Sequence, residues 1–281
     1  MRILSLGSST LFNASPTEVV EAAAAAGFDA AGIRLTGRAA GDGSAAVAGN
    51  PAALRALRQV RNETGVQITH VTSFWATPDL PLEAFLPVIE AAAELGAGTI
   101  VVNCGYEDES RFASFLAVYG EAAGRSGLKL ALEFMPYSGA RDLAQAVRMI
   151  GLAGCDNLGV MVDPLHLARS GGTPADVRAV IPRLIHMVQL CDAPRERPIG
   201  VELRAEALSQ RLYPGEGELP LIELLDAAPA GVQIDVEAPC RKHAGLPPAE
   251  QARRTAAACR QFLAAHPAPS DRTPLKNKKT E

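Results

Sequence analysis

The chain predicts a single-domain α/β fold, a closed (β/α)8 barrel, on three observations. Short apolar runs with a β-branched bias alternate with helix-patterned stretches, and eight such pairs fit into the chain. Four of the later runs end on a side chain that carries oxygen: Glu133, Asp163, Gln189 and Glu237. Parallel strands bind ligands beyond their carboxyl ends, so closure would bring these four groups to one mouth, where a hard divalent metal ion would find its ligands.

The elements follow in order. Strands are expected near 2–6, 29–35, 67–74, 99–104, 129–135, 158–163, 185–191 and 232–238. Helices are expected near 16–26, 51–64, 81–96, 108–126, 141–153, 174–182, 219–228 and 248–265. Ser15-Pro16 and Thr173-Pro174 place proline at a first helical position, and Gly27, Gly96 and Gly127 stand where a helix end needs positive φ. The segments 36–50 and 193–217 are long, contain Gly or Pro and fall on the carboxyl-end face, where long loops usually carry function. Residues 1–266 thus form the barrel, and 267–281, with Lys276-Asn-Lys-Lys279, read as a disordered polar tail.

With 281 residues, 48% of them hydrophobic, the chain can bury a full barrel core. A net charge of -4 and no basic cluster in the folded part speak against a nucleic-acid partner. The five cysteines are odd in number and sit mostly in apolar runs, which suggests reduced core thiols and a reducing cytoplasm. The first apolar run begins at once, without a signal-peptide pattern, and no stretch reaches the length of a membrane span. The expected partner is a small polyhydroxy molecule; assembly into a homo-oligomer stays open.

Five segments carry a resemblance to a known family: Glu133-Phe-Met-Pro136, Asp163-Pro-Leu-His166-Leu-Ala-Arg169, Gln189-Leu-Cys-Asp192, Arg211-Leu-Tyr-Pro214-Gly-Glu-Gly217 and Val236-Glu237. In order and spacing they resemble the xylose-isomerase-like TIM barrels of the sugar phosphate isomerase/epimerase superfamily, over nearly all of the chain to about residue 266. The resemblance implies a divalent metal on Glu133, Asp163 and Glu237. The family's fourth ligand is most often histidine, where this chain has Gln189. An all-oxygen shell would favour Mn2+ or Mg2+ over Zn2+. Bacterial 3-dehydroshikimate dehydratases are similar in the Gln189-Leu-Cys-Asp-Ala-Pro194 segment, although the Glu133-Phe-Met-Pro136 stretch is not like theirs.

Other side chains are assigned around this core. His166, three residues after Asp163, is a candidate general acid/base or a group orienting a ligand. Arg34, His70 and Asn103 close or approach strand ends and are candidate substrate contacts, as are Arg169 and Arg211 beside Gly-rich turns. For Arg211 the resemblance implies a contact to substrate or to the metal shell. Trp75 is expected to wall the pocket, His186 to lie on the barrel exterior, and Asp192 to buttress the loop that carries Arg211.

The expected chemistry is isomerisation or epimerisation of a keto-sugar or sugar-derived acid. Glu133 and Glu237 would exchange the proton through a metal-stabilised enediolate. The alternative is a metal-dependent lyase using the same site, either dehydratase-like with His166 delivering a proton or cleaving a keto-glycoside. A DNA-repair barrel of the same fold would need a histidine-rich multi-metal site and a basic face, which five histidines and a net acidic charge do not supply.

Overall fold

The computed structural model describes residues 3–11, 13–37 and 46–266. The 267–281 tail and much of the expected 36–50 loop therefore lie outside the described residues. Eight parallel strands close into a barrel in sequence order: β1 Leu4–Gly7, β2 Ala30–Arg34, β3 Gln67–Ala76, β4 Thr99–Cys104, β5 Lys129–Glu133, β6 Leu158–Val162, β7 Ile185–Leu190 and β8 Gln233–Val236. The last strand pairs with the first, Leu4 against Ile234 and Leu6 against Val236, which removes every sheet edge.

Ten helices among the described residues surround the strands: α1 Pro16–Ala26, α2 Pro51–Thr64, α3 Leu86–Glu94, α4 Glu109–Arg125, α5 Leu143–Ala153, α6 Pro164–Arg169, α7 Pro174–Ala179, α8 Leu203–Ser209, α9 Leu221–Ala227 and α10 Pro248–Ala265. Their starts follow the sequence chemistry. Ser15 and Glu18 form a capping box on α1 with Pro16 at its first position, and Asp108 and Asp142 cap α4 and α5 by accepting from backbone N–H groups. Strand and helix positions match the expectation closely, with two exceptions. The expected 81–96 helix begins as a 3-10 turn at Leu82–Phe85, and two helices, α6 and α8, arise in segments expected to be loop.

The barrel interior is divided. Val101, Ala131, Met161 and Met187 of β4 to β7 form a small apolar cluster of their own, separate from the main core between strands and helices. On the side built by β8, β1 and β3 the interior is polar, with Asp235, Ser5 and His70 fully buried. The five cysteines are free, four of them buried. No helix among the described residues is long and apolar enough to cross a membrane.

The loop leaving β5 is seated by backbone contacts, and within it the Ser138 hydroxyl donates to the Ala140 carbonyl at 2.7 Å. Gly139 N–H donates to the Cys104 carbonyl at 2.9 Å and Met135 N–H to that of Ala140 at 2.8 Å. A Cβ on Gly139 would lie 1.9 Å from the Tyr106 carbonyl oxygen, so the β5 loop can approach the β4 loop only with glycine there. Gly139→Ala should therefore lower the urea midpoint by the equivalent of about 2–3 kcal/mol with an unchanged m-value. An unaltered midpoint would show that this approach is not needed.

Candidate active site

Glu133 is the last residue of β5, Asp163 follows β6, Gln189 lies in β7 and Glu237 follows β8. All four are buried at the carboxyl ends of the barrel. Glu133, Gln189 and Glu237 line a cavity of about 320 Å³ together with Arg34, Asn103, His166 and Arg211. Trp75 and Tyr137 form part of its wall.

Asp163 stands behind this wall. It caps α6, where its Oδ1 accepts from the N–H groups of Leu165 at 2.7 Å and His166 at 3.1 Å, and its Oδ2 receives the Arg211 guanidinium. Burial opposes its charge, but Arg211 and His166 outweigh burial and hold the Asp163 pKa below the ordinary carboxylate value. The capping turn that ties up Asp163 also brings His166 to the cavity, and the ligand atoms of Glu133, Asp163 and His166 all lie within 4.8 Å of one another. His166 Nε2 is 3.7 Å from Glu133 Oε1, and the Tyr137 ring meets the imidazole edge-on at 5.6 Å. Burial pushes the His166 pKa down to about 4, which keeps the imidazole neutral.

Arg211 is the central cation. It reaches Asp163, lies 3.9 Å from Glu237 Oε2 and 3.4 Å from His166 Nε2, and donates to the Glu237 carbonyl at 3.2 Å. Its segment is held by Asp192, whose carboxylate accepts N–H bonds from Gly215, Gly217 and Leu219 at 2.9–3.1 Å. Asn103 donates to Glu133 Oε2 at 2.6 Å, a bond that their register in adjacent strands sets up.

Two residues expected at the substrate are placed elsewhere. His70 is fully buried inside the barrel and does not line the cavity; it lies 3.6 Å from Asp235. Strand alternation identifies an inward side chain but says nothing of its depth. Arg169 turns away from the cavity to bond Glu206 of α8 at 2.7 Å and the carbonyls of Pro194 and Arg195. It pins the β7 loop. His186 bonds the Leu130 carbonyl at 3.0 Å beside Gly159, away from the cavity. Sequence reasoning missed Arg204 and Leu208, which reach the cavity from α8, and Tyr137. Only Tyr137, directly following the Glu133 motif, had a signal that could have found it.

A divalent cation fits these residues on two observations. Gln189 Nε2 donates to Asp235 Oδ2 at 3.0 Å, while its buried Oε1 has no hydrogen-bond partner among the described residues. Burial, and then the charges of Glu237 and Asp163, push the Glu133 pKa up to about 8, a cost to the carboxylate form that a nearby cation would relieve. Glu133, Asp163, Gln189 and Glu237 are the oxygen donors that could hold the ion, with His166 as a nitrogen donor beside them.

A model of the xylose isomerase-like TIM barrel family matches residues 20–262. The chain is 26% identical over 221 residues to the 3-dehydroshikimate dehydratase of Pseudomonas putida, which covers 74% of this chain and 33% of that protein. Among solved structures it is similar to a xylose isomerase-like TIM barrel/4-hydroxyphenylpyruvate dioxygenase fusion protein (TM-score 0.76, 22% identity, 94% of this chain and 44% of that one). It is also similar to the IOLI protein with a bound zinc atom (TM-score 0.78, 17% identity, 95% and 99%). The chain thus spans about a third of its curated relative and under half of the fusion protein.

A pH dependence follows from Glu133. Its pKa in the cation-free fold is raised from the ordinary 4.5 to about 8, so the stability it contributes is present below the unfolded value and is lost as pH rises through about 8. A cation needs the carboxylate form and must displace a proton below that pH. Mn2+ should therefore raise the melting temperature more at about pH 8.5 than at about pH 6. Equal shifts at both would mean that Glu133 does not hold the ion.

Proposed function

The chain belongs to the xylose isomerase-like TIM barrel family, and from that premise we propose that it is a divalent-metal-dependent lyase removing water from a cyclic hydroxy ketone of the 3-dehydroshikimate type. The observation that carries this reading is the grouping of Glu133, Glu237 and the neutral His166 around one cavity. Gln189 and the similarity to a curated 3-dehydroshikimate dehydratase turn the choice from isomerisation to dehydration.

A bound cation would supply Lewis acidity towards the substrate carbonyl. The chain's own groups do the rest. Glu237 takes the proton from the carbon beside the carbonyl, and the electrons of that C–H bond pass into the enolate. Collapse of the enolate breaks the C–O bond of the β-hydroxyl. His166, neutral beforehand, relays the proton from Glu237 to the leaving oxygen, so one water departs and the protein returns to its starting state. Arg34, on the cavity wall, gives a cationic partner for a substrate carboxylate. Mn2+ or Mg2+ remains the proposed ion for the carboxylate-rich donor set, with His166 next to Glu133 and Asp163 the feature that would favour zinc.

The second reading is epimerisation of a keto-sugar. It is favoured by Glu133 and Glu237 lining the same cavity, since two carboxylates at one substrate carbon can remove and return a proton.

The deciding test offers 3-dehydroshikimate and a panel of keto-sugars to the metal-loaded protein in deuterated water. The expected result is a product lighter by one water from 3-dehydroshikimate alone. Interconversion of keto-sugars with deuterium incorporation and no loss of water would replace this reading by the second. Under either, Glu237→Gln should lower turnover by about a hundredfold or more while weakening Mn2+ binding much less. Near-normal turnover would remove Glu237 as the base.

A further inference from the structure

Gln189, Asp235 and His70 stand side by side in the polar half of the barrel interior. Gln189 of β7 and Asp235 of β8 are register partners, and both are buried to within 1%. The Gln189 Nε2 to Asp235 Oδ2 bond of 3.0 Å has only one sense, because a carboxylate accepts and an amide NH2 group donates. On its far side Asp235 Oδ2 lies 3.6 Å from His70 Nε2. Gln233 Nε2 sits 2.9 Å from His70 Nδ1, which assigns Nδ1 as acceptor and leaves the ring proton on Nε2, facing Asp235.

His70 is on β3, and its ring reaches Asp235 past β2 and β1. A Cβ on Gly32 would lie 2.1 Å from His70 Nε2, and one on Gly7 would lie 2.5 Å from Asp235 Oδ2. The two missing side chains are what let the pair meet.

We propose that Asp235 is a positioning residue that sets which end of the Gln189 carboxamide faces the cavity. An amide is donor at one end and acceptor at the other, so Gln189 serves as a cation ligand only if its NH2 end is held elsewhere. Asp235 holds it: a flipped amide would set its carbonyl oxygen against the carboxylate, lose the bond and turn the NH2 group to the mouth. Oε1, free of hydrogen-bond partners among the described residues, is the end left for the cavity. The proposal rests on the reading of Gln189 as a cation ligand.

The test measures Mn2+ affinity of the full chain by calorimetry, with melting temperatures as the check on folding. Asp235→Asn and Asp235→Leu remove the same charge, but only asparagine can still accept from the Gln189 amide. The expected result is an affinity within about threefold of wild type for D235N and a loss of about tenfold or more for D235L. Gln189→Glu in the D235L background should restore binding, since a carboxylate offers oxygen at either end. D235A replaces D235L if the leucine variant does not fold. Equal losses in D235N and D235L, or no recovery with Q189E, would overturn the proposal by reducing Asp235 to a charge or a packing group. Separately, an undiminished affinity in Gln189→Ala would overturn the ligand reading beneath it.

Discussion

Everything at the barrel mouth depends on how buried carboxylates are kept close together. Glu133, Asp163 and Glu237 are all buried at strand ends within one small region, and Arg211 is the cation placed among them. Its partners do not balance evenly. Asp163 is held below its ordinary pKa, while burial raises Glu133 and Glu237 above theirs despite the guanidinium. A fold that keeps this residual negative charge out of water destabilises itself unless a cation or protons relieve it. Such self-opposed sites are where function concentrates.

The surrounding loops serve that arrangement. Asp192 gathers three backbone N–H groups of the turn after Arg211 and so fixes where the guanidinium can reach. Arg169, partly buried, and the buried Glu206 tie α6 to α8, and Arg169 holds the β7 loop through two of its carbonyls. The helix thus anchored presents Arg204 and Leu208 to the cavity. An ion pair outside the cavity thereby shapes part of its wall.

The barrel was legible because its strands are buried on both faces and read as continuous apolar runs, with proline and glycine marking the helix ends. The depth of a residue within the barrel was not legible. His70 looked like a mouth residue, and only Gly32 and Gly7, one and two strands away on β2 and β1, explain why it turns to Asp235 instead. Arg169 looked like a substrate contact because its partner, Glu206, lies 37 residues on in a segment without periodicity. The reach of Asp163 back into α6 was likewise hidden: Asp163-Pro-Leu-His166 reads as a ligand motif and is also a helix cap, and the structure uses the cap to bring His166 to Glu133.

The most direct measurement of the account is a titration of the purified chain with Mn2+ followed by electron paramagnetic resonance of the free ion. Wild type should bind one equivalent tightly, and a Glu133→Gln, Asp163→Asn double variant that keeps its circular dichroism spectrum should lose it. A wild type that binds none, or a double variant that retains the full equivalent, would contradict the claim that this carboxylate cluster exists to hold a cation.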